Sequence, residues 1–173
     1  IGKDFSIIAD SGDNPTAGGV GDRADILEEV LRQKINKTLF AGIASKSAYE
    51  ALKDGNDFTL GGTYGGGGPP LKLKADHVYF KNDCAVASVS NTVVIITKLR
   101  RPFHNLKDFT DLKIDLKDFK TLIVKSGYLS PELQSLSAPT FMALTSGAVN
   151  QDIKGIENNN RLQKIYPFQD FND

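Results

Sequence analysis

The chain has 173 residues, with 40% hydrophobic and 24% charged residues, enough for a core that needs no staples. Lys plus Arg and Asp plus Glu both number 21, a balance that argues against a dedicated nucleic-acid binder while leaving room for a local basic patch. The one cysteine, Cys84, excludes an internal disulfide and a Cys-based metal site, and the longest apolar runs are far short of a membrane span.

In chain order, Phe5 to Ala9 reads as a buried strand ending at Asp10. Ser11 to Gly21 is a loop by local rules, carrying Gly12, Gly18, Gly19 and Gly21, with Pro15 after Asn14. Asp22 is expected to cap a helix in which Ile26, Leu27, Val30 and Leu31 recur at helical spacing. Leu39 to Ile43 is a second buried strand, and Ser47 to Lys53 a second helix stopped near Gly55. Strand, helix, strand over 5–43 predicts a parallel pair with a right-handed crossover.

The middle changes character. Asp57 to Gly62 predicts a strand running into a turn, and Gly65 to Gly68 with Pro69 and Pro70 is irregular. Leu71, Leu73 and Ala75 alternate with polar residues, and Val78 and Phe80 continue the alternation. Val86 to Val89 and Asn91 to Leu99 are further strands, the second central by its β-branched content. Cys84 falls in the loop before them. These sequential strands are expected to be antiparallel. Beyond them, Asn105 caps a short helix over 106–112. The text Leu-Lys-Asp-Phe at 106–109 and 116–119 makes two short helical turns rather than a solenoid. Thr121 to Val124 is a buried strand ending at Lys125 and Ser126. Pro131 opens a helix to Leu136, Pro139 to Leu144 is a strand, and Ile165, Tyr166 and Phe168 are expected to anchor the terminus. The fold class is therefore α/β: a mixed sheet with parallel strand-helix-strand units at both ends and a β-rich antiparallel middle. Residues 1–173 read as a single domain. The start at Ile1 rather than Met leads us to expect a piece of a larger chain.

Chemistry concentrates in a few places. The loop from Asp10 to Asp22 joins a strand to a helix, where sites form in parallel sheets. Its carboxylates Asp10, Asp13 and Asp22 read either as caps of turns or as ligands of a hard cation. Its glycines fit neither G-x-G-x-x-G nor the P-loop. His77 and His104 are too few for a zinc site, so a complete zinc site within this chain is not expected, while carboxylate-only coordination of Mg or Mn stays open. Lys125 after a buried strand reads as an anion anchor or as a lysine in water. Ser126 lacks a G-x-S-x-G elbow. Arg100 and Arg101 read as a solvated edge or an interdomain contact.

Taken together, these motifs resemble the C-terminal domain of the MlrC-like metallopeptidases, over about Phe5 to Phe171. The resemblance is carried by Asp10 with Asp13-Asn14-Pro15, Gly18-Gly19 and Gly21-Asp22, and by Gly61-Gly62 and Gly68-Pro69-Pro70. Lys125-Ser126 and Thr145 with Gly147 complete it. It implies a metal-dependent hydrolase of amide bonds in small peptides. Zinc and most of its ligands would lie on an N-terminal domain of a longer parent chain. Asp13, Asn14 and Lys125 would serve catalysis, and Asp10, Ser126, Gly18 and Gly19 would bind substrate. The expected partners are that N-terminal domain and a small peptide, with no nucleic acid and no membrane. A homo-oligomer is left open, and the expected location is cytoplasmic. The family's His-Phe-Arg run after Lys-Ser is replaced by Gly127-Tyr128-Leu129, and its Thr-Pro-Gly has Ser146 for the proline. Those departures keep a second reading in view, a non-catalytic binding or structural module. A carboxylate-only magnesium site acting on phosphate esters is a weaker third.

Overall fold

The computed structural model describes residues 2, 4–65, 68–156 and 166. Nine strands and four α-helices follow in chain order. The strands are β1 (Ser6–Asp10), β2 (Thr38–Ala44), β3 (Asp57–Leu60), β4 (Leu71–Lys74), β5 (His77–Lys81), β6 (Cys84–Val89), β7 (Thr92–Thr97), β8 (Thr121–Val124) and β9 (Thr140–Ala143). The helices are α1 (Asp25–Arg32), α2 (Lys46–Asp54), α3 (Leu106–Thr110) and α4 (Pro131–Gln134), with 3-10 turns at Leu116–Asp118 and Ile153–Gly155. The predicted class is the observed one. Seven strands form a mixed sheet in the order β5-β6-β7-β2-β8-β1-β9, and β3 and β4 form a separate antiparallel pair.

From β7 to β9 all neighbours run parallel, whereas β5, β6 and β7 are antiparallel. The five parallel strands therefore end on the same side. The sheet is covered on both faces, so every residue of β2 is buried and its apolar run shows no alternation. Parity still sorts the two cores. Ile7, Leu39, Ala41, Ile95 and Leu122 pack toward Phe109 and Leu133 of α3 and α4. Phe40, Ile43, Val94, Ile96 and Ile123 pack toward Leu27 and Val30 of α1, Tyr49 and Leu52 of α2, and Phe58 and Leu60 of β3. Helix α2 begins where the Ser45 hydroxyl accepts the Ala48 amide at 3.2 Å and stops before Gly55. Within β2 the register with β7 slips between Ala41 and Ile43. Gly42 at that slip has φ +156°, and a Cβ there would lie 2.4 Å from the Phe103 ring.

Four expectations are corrected. β1 and β2 are not neighbours: β8 lies between them and pairs with both, because the chain returns after β7 to fill that slot. Asp22 caps no helix: α1 starts three residues later with Ala24 at its N-cap, and Asp22 turns inward. Cys84 is not in a loop but opens β6, fully buried, and burial pushes its thiol pKa up. The alternating run over 71–80 is two strands in different sheets. Ala75 and Asp76 break it by donating their amides to Asn56 O and Ser88 O, both at 2.8 Å. Of the aromatic anchor, Ile165 and Phe168 lie outside the described residues, and Tyr166 is 79% exposed. No described helix is long and apolar enough to cross a membrane.

Candidate functional site

The loops that leave β1, β8 and β9 meet at the carboxyl end of the parallel strands. Three of the residues singled out from sequence touch there. Lys125 Nζ lies 2.9 Å from Asp10 Oδ2 and 3.1 Å from Asp13 Oδ2. All three side chains are at most 4% exposed. One ammonium between two carboxylates is a buried ion triad, stable only if the remaining lone pairs find donors. They do. Asp10 Oδ1 accepts the Thr145 hydroxyl. Asp13 Oδ1 accepts the Gly21 amide at 2.8 Å, and its Oδ2 also accepts the Arg23 amide at 2.8 Å. Asp13 thus closes the glycine-rich loop on itself while tying it to β8.

The strand ends fix the rest. Ser126 N donates to Asp10 O at 3.0 Å, and Ser11 N and Oγ both donate to Ala143 O. Gly12 N donates to Thr145 Oγ1 at 3.1 Å. The β1 and β9 loops approach so closely that a Cβ on Gly12 would sit 1.9 Å from Thr145 O, and one on Gly147 would sit 2.0 Å from Gly12 O. Asn14 spends its Oδ1 on the Thr16 amide and hydroxyl, an Asx turn. Ser126 Oγ donates to Tyr128 O. Gly19 donates its amide to Asn14 O at 2.8 Å, and Gly18 is exposed. So Asp10, Asp13 and Lys125 are brought together, with the Ser126 backbone beside them. Asn14, Gly18 and Gly19 shape the loop around them.

The triad sets two carboxylates against one ammonium, and Arg23 adjoins it. Asp25 grips the Arg23 guanidinium bidentately at 2.8 and 2.9 Å, and with Asp13 and Asp10 raises its pKa above the ordinary arginine value.

Some site residues had no sequence assignment. Thr145 was read only as part of a family-like motif, yet it bridges Asp10 and Gly12. Tyr64 comes from the glycine-rich run: its amide donates to Asp22 Oδ2 at 2.8 Å, and its phenol oxygen accepts the Lys46 amide at 2.9 Å. The single Tyr among glycines was the one available signal. Asp22 Oδ1 is buried without a hydrogen-bond partner.

The arrangement does not fit a metal. All four oxygens of Asp10 and Asp13 are engaged by donors from the chain itself. Among the described residues no group of three or more His, Cys, Asp or Glu side chains could hold a metal ion. His77 is exposed on the edge strand β5, away from the triad.

The comparisons bear on what such a domain belongs to. The model of the MlrC C-terminus family matches residues 8–160. A crystal structure from Mesorhizobium sp. BNC1, described provisionally as a metallopeptidase, superimposes with a TM-score of 0.74 at 15% sequence identity. That likeness covers 95% of this chain but 38% of the other, so the chain spans well under half of that protein's length. No curated protein matches the sequence. At 15% identity the structural likeness speaks for the fold alone, but the family match covers most of the chain. The chain belongs to the MlrC C-terminus family.

Proposed function

We propose that this chain is the C-terminal domain of a metal-dependent hydrolase that cleaves amide bonds of small peptides. In this reading it forms one wall of a cleft, and an N-terminal domain of a longer parent carries the zinc and its ligands. The observation that carries the reading is the Asp10–Lys125–Asp13 triad, which rigidifies three loops at the carboxyl end of five parallel strands. That is the end where α/β sheets build their sites. The family match and the longer relative support a parent of which this is a part. The described residues of this chain do not make a ligand set, so in this reading the metal rests on the other domain.

What this chain's residues would do is positional. Lys125 holds Asp10 and Asp13 in one geometry, and Asp13 fixes the backbone from Gly21 to Arg23. That backbone, with Asn14, Gly18 and Gly19, would present the loop to a peptide held in the cleft. Lys125 then acts as a positioning residue rather than as a group that touches substrate.

A second reading, a non-catalytic module, draws on the same burial. A lysine 1% exposed and paired with two carboxylates has no free function toward a ligand. The deciding experiment uses the full-length parent, purified with its metal. Hydrolysis of short peptides and metal content are measured for the wild type, Asn14→Ala and Lys125→Met. The hydrolase reading expects metal-dependent turnover that falls at least tenfold in Asn14→Ala with metal content unchanged. A parent that binds zinc stoichiometrically yet turns over no peptide supports the module.

A further inference from the structure

Away from the triad, a cavity of about 490 Å³ opens at the carboxyl end of β7. Three segments converge on it: the first residue of α2, the β5–β6 turn and the chain that leaves β7. Its lining holds four cationic side chains, Lys46, Lys98, Arg100 and Arg101, against one carboxylate, Asp83. In a chain with equal numbers of acidic and basic residues, this is a strong local asymmetry.

Partners within the chain offset it only in part, Glu50 acting on both Lys98 and Lys46. Arg101 is paired with Asp108 at 2.7 Å, and Lys98 approaches Glu50 only at 3.7 Å. No ion pair engages Lys46 or Arg100 among the described residues. Arg100 is nonetheless placed: its Nη1 donates to Gly19 O at 3.2 Å, and its Cγ would lie 3.9 Å from a Cβ on Gly21. One guanidinium nitrogen is thus spent on the glycine-rich loop, and the other polar hydrogens remain for a ligand. The buried Thr97 forms part of the lining.

Lys46 and Arg100 are exposed, so water screens much of their mutual repulsion, and an entering counter-charge offsets what remains. Two of the four are arginines, whose planar donor forks match carboxylate and phosphate oxygens. From this geometry we propose that the cavity binds an oxyanion, the carboxylate or phosphate group of a small molecule, with Lys46 and Arg100 as its principal contacts. The site opens at the same carboxyl end of the parallel strands as the triad, and the Arg100–Gly19 hydrogen bond links it to the glycine-rich loop. It stands whether or not the parent hydrolyses amides, because it needs only residues of this chain.

The test is an amide-resolved NMR titration of the 173-residue chain in 0.15 M salt, where diffuse surface attraction is largely screened. The probes are inorganic phosphate, a capped Glu-Glu dipeptide and its Gln-Gln counterpart. Saturable shifts at Lys46, Asn82, Lys98 and Arg100 are expected, with a Kd of about 1 mM or tighter. Arg100→Gln should weaken binding about tenfold, and Lys46→Gln by about threefold. Lys46→Gln keeps the test intact if the arginine variant loosens the glycine-rich loop. Response to the Glu-Glu peptide alone assigns the site to carboxylates, and response to phosphate alone to phosphate esters. Non-saturating shifts, equal response to Gln-Gln, or wild-type affinity in both variants would overturn the proposal.

Discussion

The parallel and antiparallel halves of the sheet are built from similar apolar residues but are put to different uses. In the antiparallel half, β5, β6 and β7 reverse through tight turns, and adjacent strand ends point opposite ways. That half is stabilised by burial of Val86, Val94, Ile95 and Ile96. In the parallel half, five carboxyl ends share a side. Asp10, Ser45, Thr97, Lys125 and Ser126 are all buried at or just beyond those ends. Parallel order concentrates polar chemistry, and each group buried there needs a partner from another loop.

The contrast can be broken most sharply at Lys125. Replacing Lys125 by Met leaves two carboxylates facing each other in the interior, and the expected loss of unfolding free energy is about 3–5 kcal/mol. Denaturant titration reads it. Adding Asp10→Asn should restore part of the loss by removing one charge. A loss below about 1 kcal/mol in the single variant would mean that the triad does not hold the loops.

The apolar half should respond more mildly to a conservative change. Ile95, fully buried in β7, loses one methylene on replacement by Val, at an expected cost of about 0.5–1.5 kcal/mol. Hydrogen exchange at Gly21 and Arg23 should stay as in the wild type. If those amides exchange faster, the two halves are mechanically coupled.

The smallest effect belongs to the surface of α1. Arg32 and Gln33 hold the Glu29 carboxyl down to about 2 from an ordinary 4.5. A depressed carboxyl contributes stability above its unfolded value and loses it as pH falls toward the folded one. The group is fully exposed and screened by solvent. Glu29→Gln should therefore lower the unfolding midpoint at pH 7 only slightly. That small difference should hold above pH 4.5 and fade to nothing as pH falls from 4.5 to 2, read by thermal melts across that range.

Much of the fold was legible because burial leaves a local imprint. The run Phe5 to Ala9, the β-branched stretch before Leu99 and the helical run Ser47 to Lys53 each carry their own signal. The slot between β1 and β2 carried none: nothing near either strand announces that residues 121–124 will fill it. Asp22 was misread for a related reason. An aspartate before a helical run looks like a cap, and only the distant Tyr64 amide draws it inward. The candidate site was visible as a set of polar residues in glycine-rich loops. Its wiring was not, since Lys125 reaches partners more than a hundred residues away. The basic cavity was foreshadowed only by Arg100-Arg101, with Lys46 and Lys98 supplied by separate elements.

The strand order also sets a schedule. β1 lies near the start of the chain, yet its only neighbours are β8 and β9. During synthesis, Ser6–Asp10 emerges early and finds no edge to pair with until residues 121–124 and then 140–143 have left the ribosome. Until then its apolar side chains have no sheet to join, and Asp10 has no ammonium to meet. The first strand of this domain is thus among the last to be completed, and a domain stalled before residue 121 is the form most in need of a chaperone.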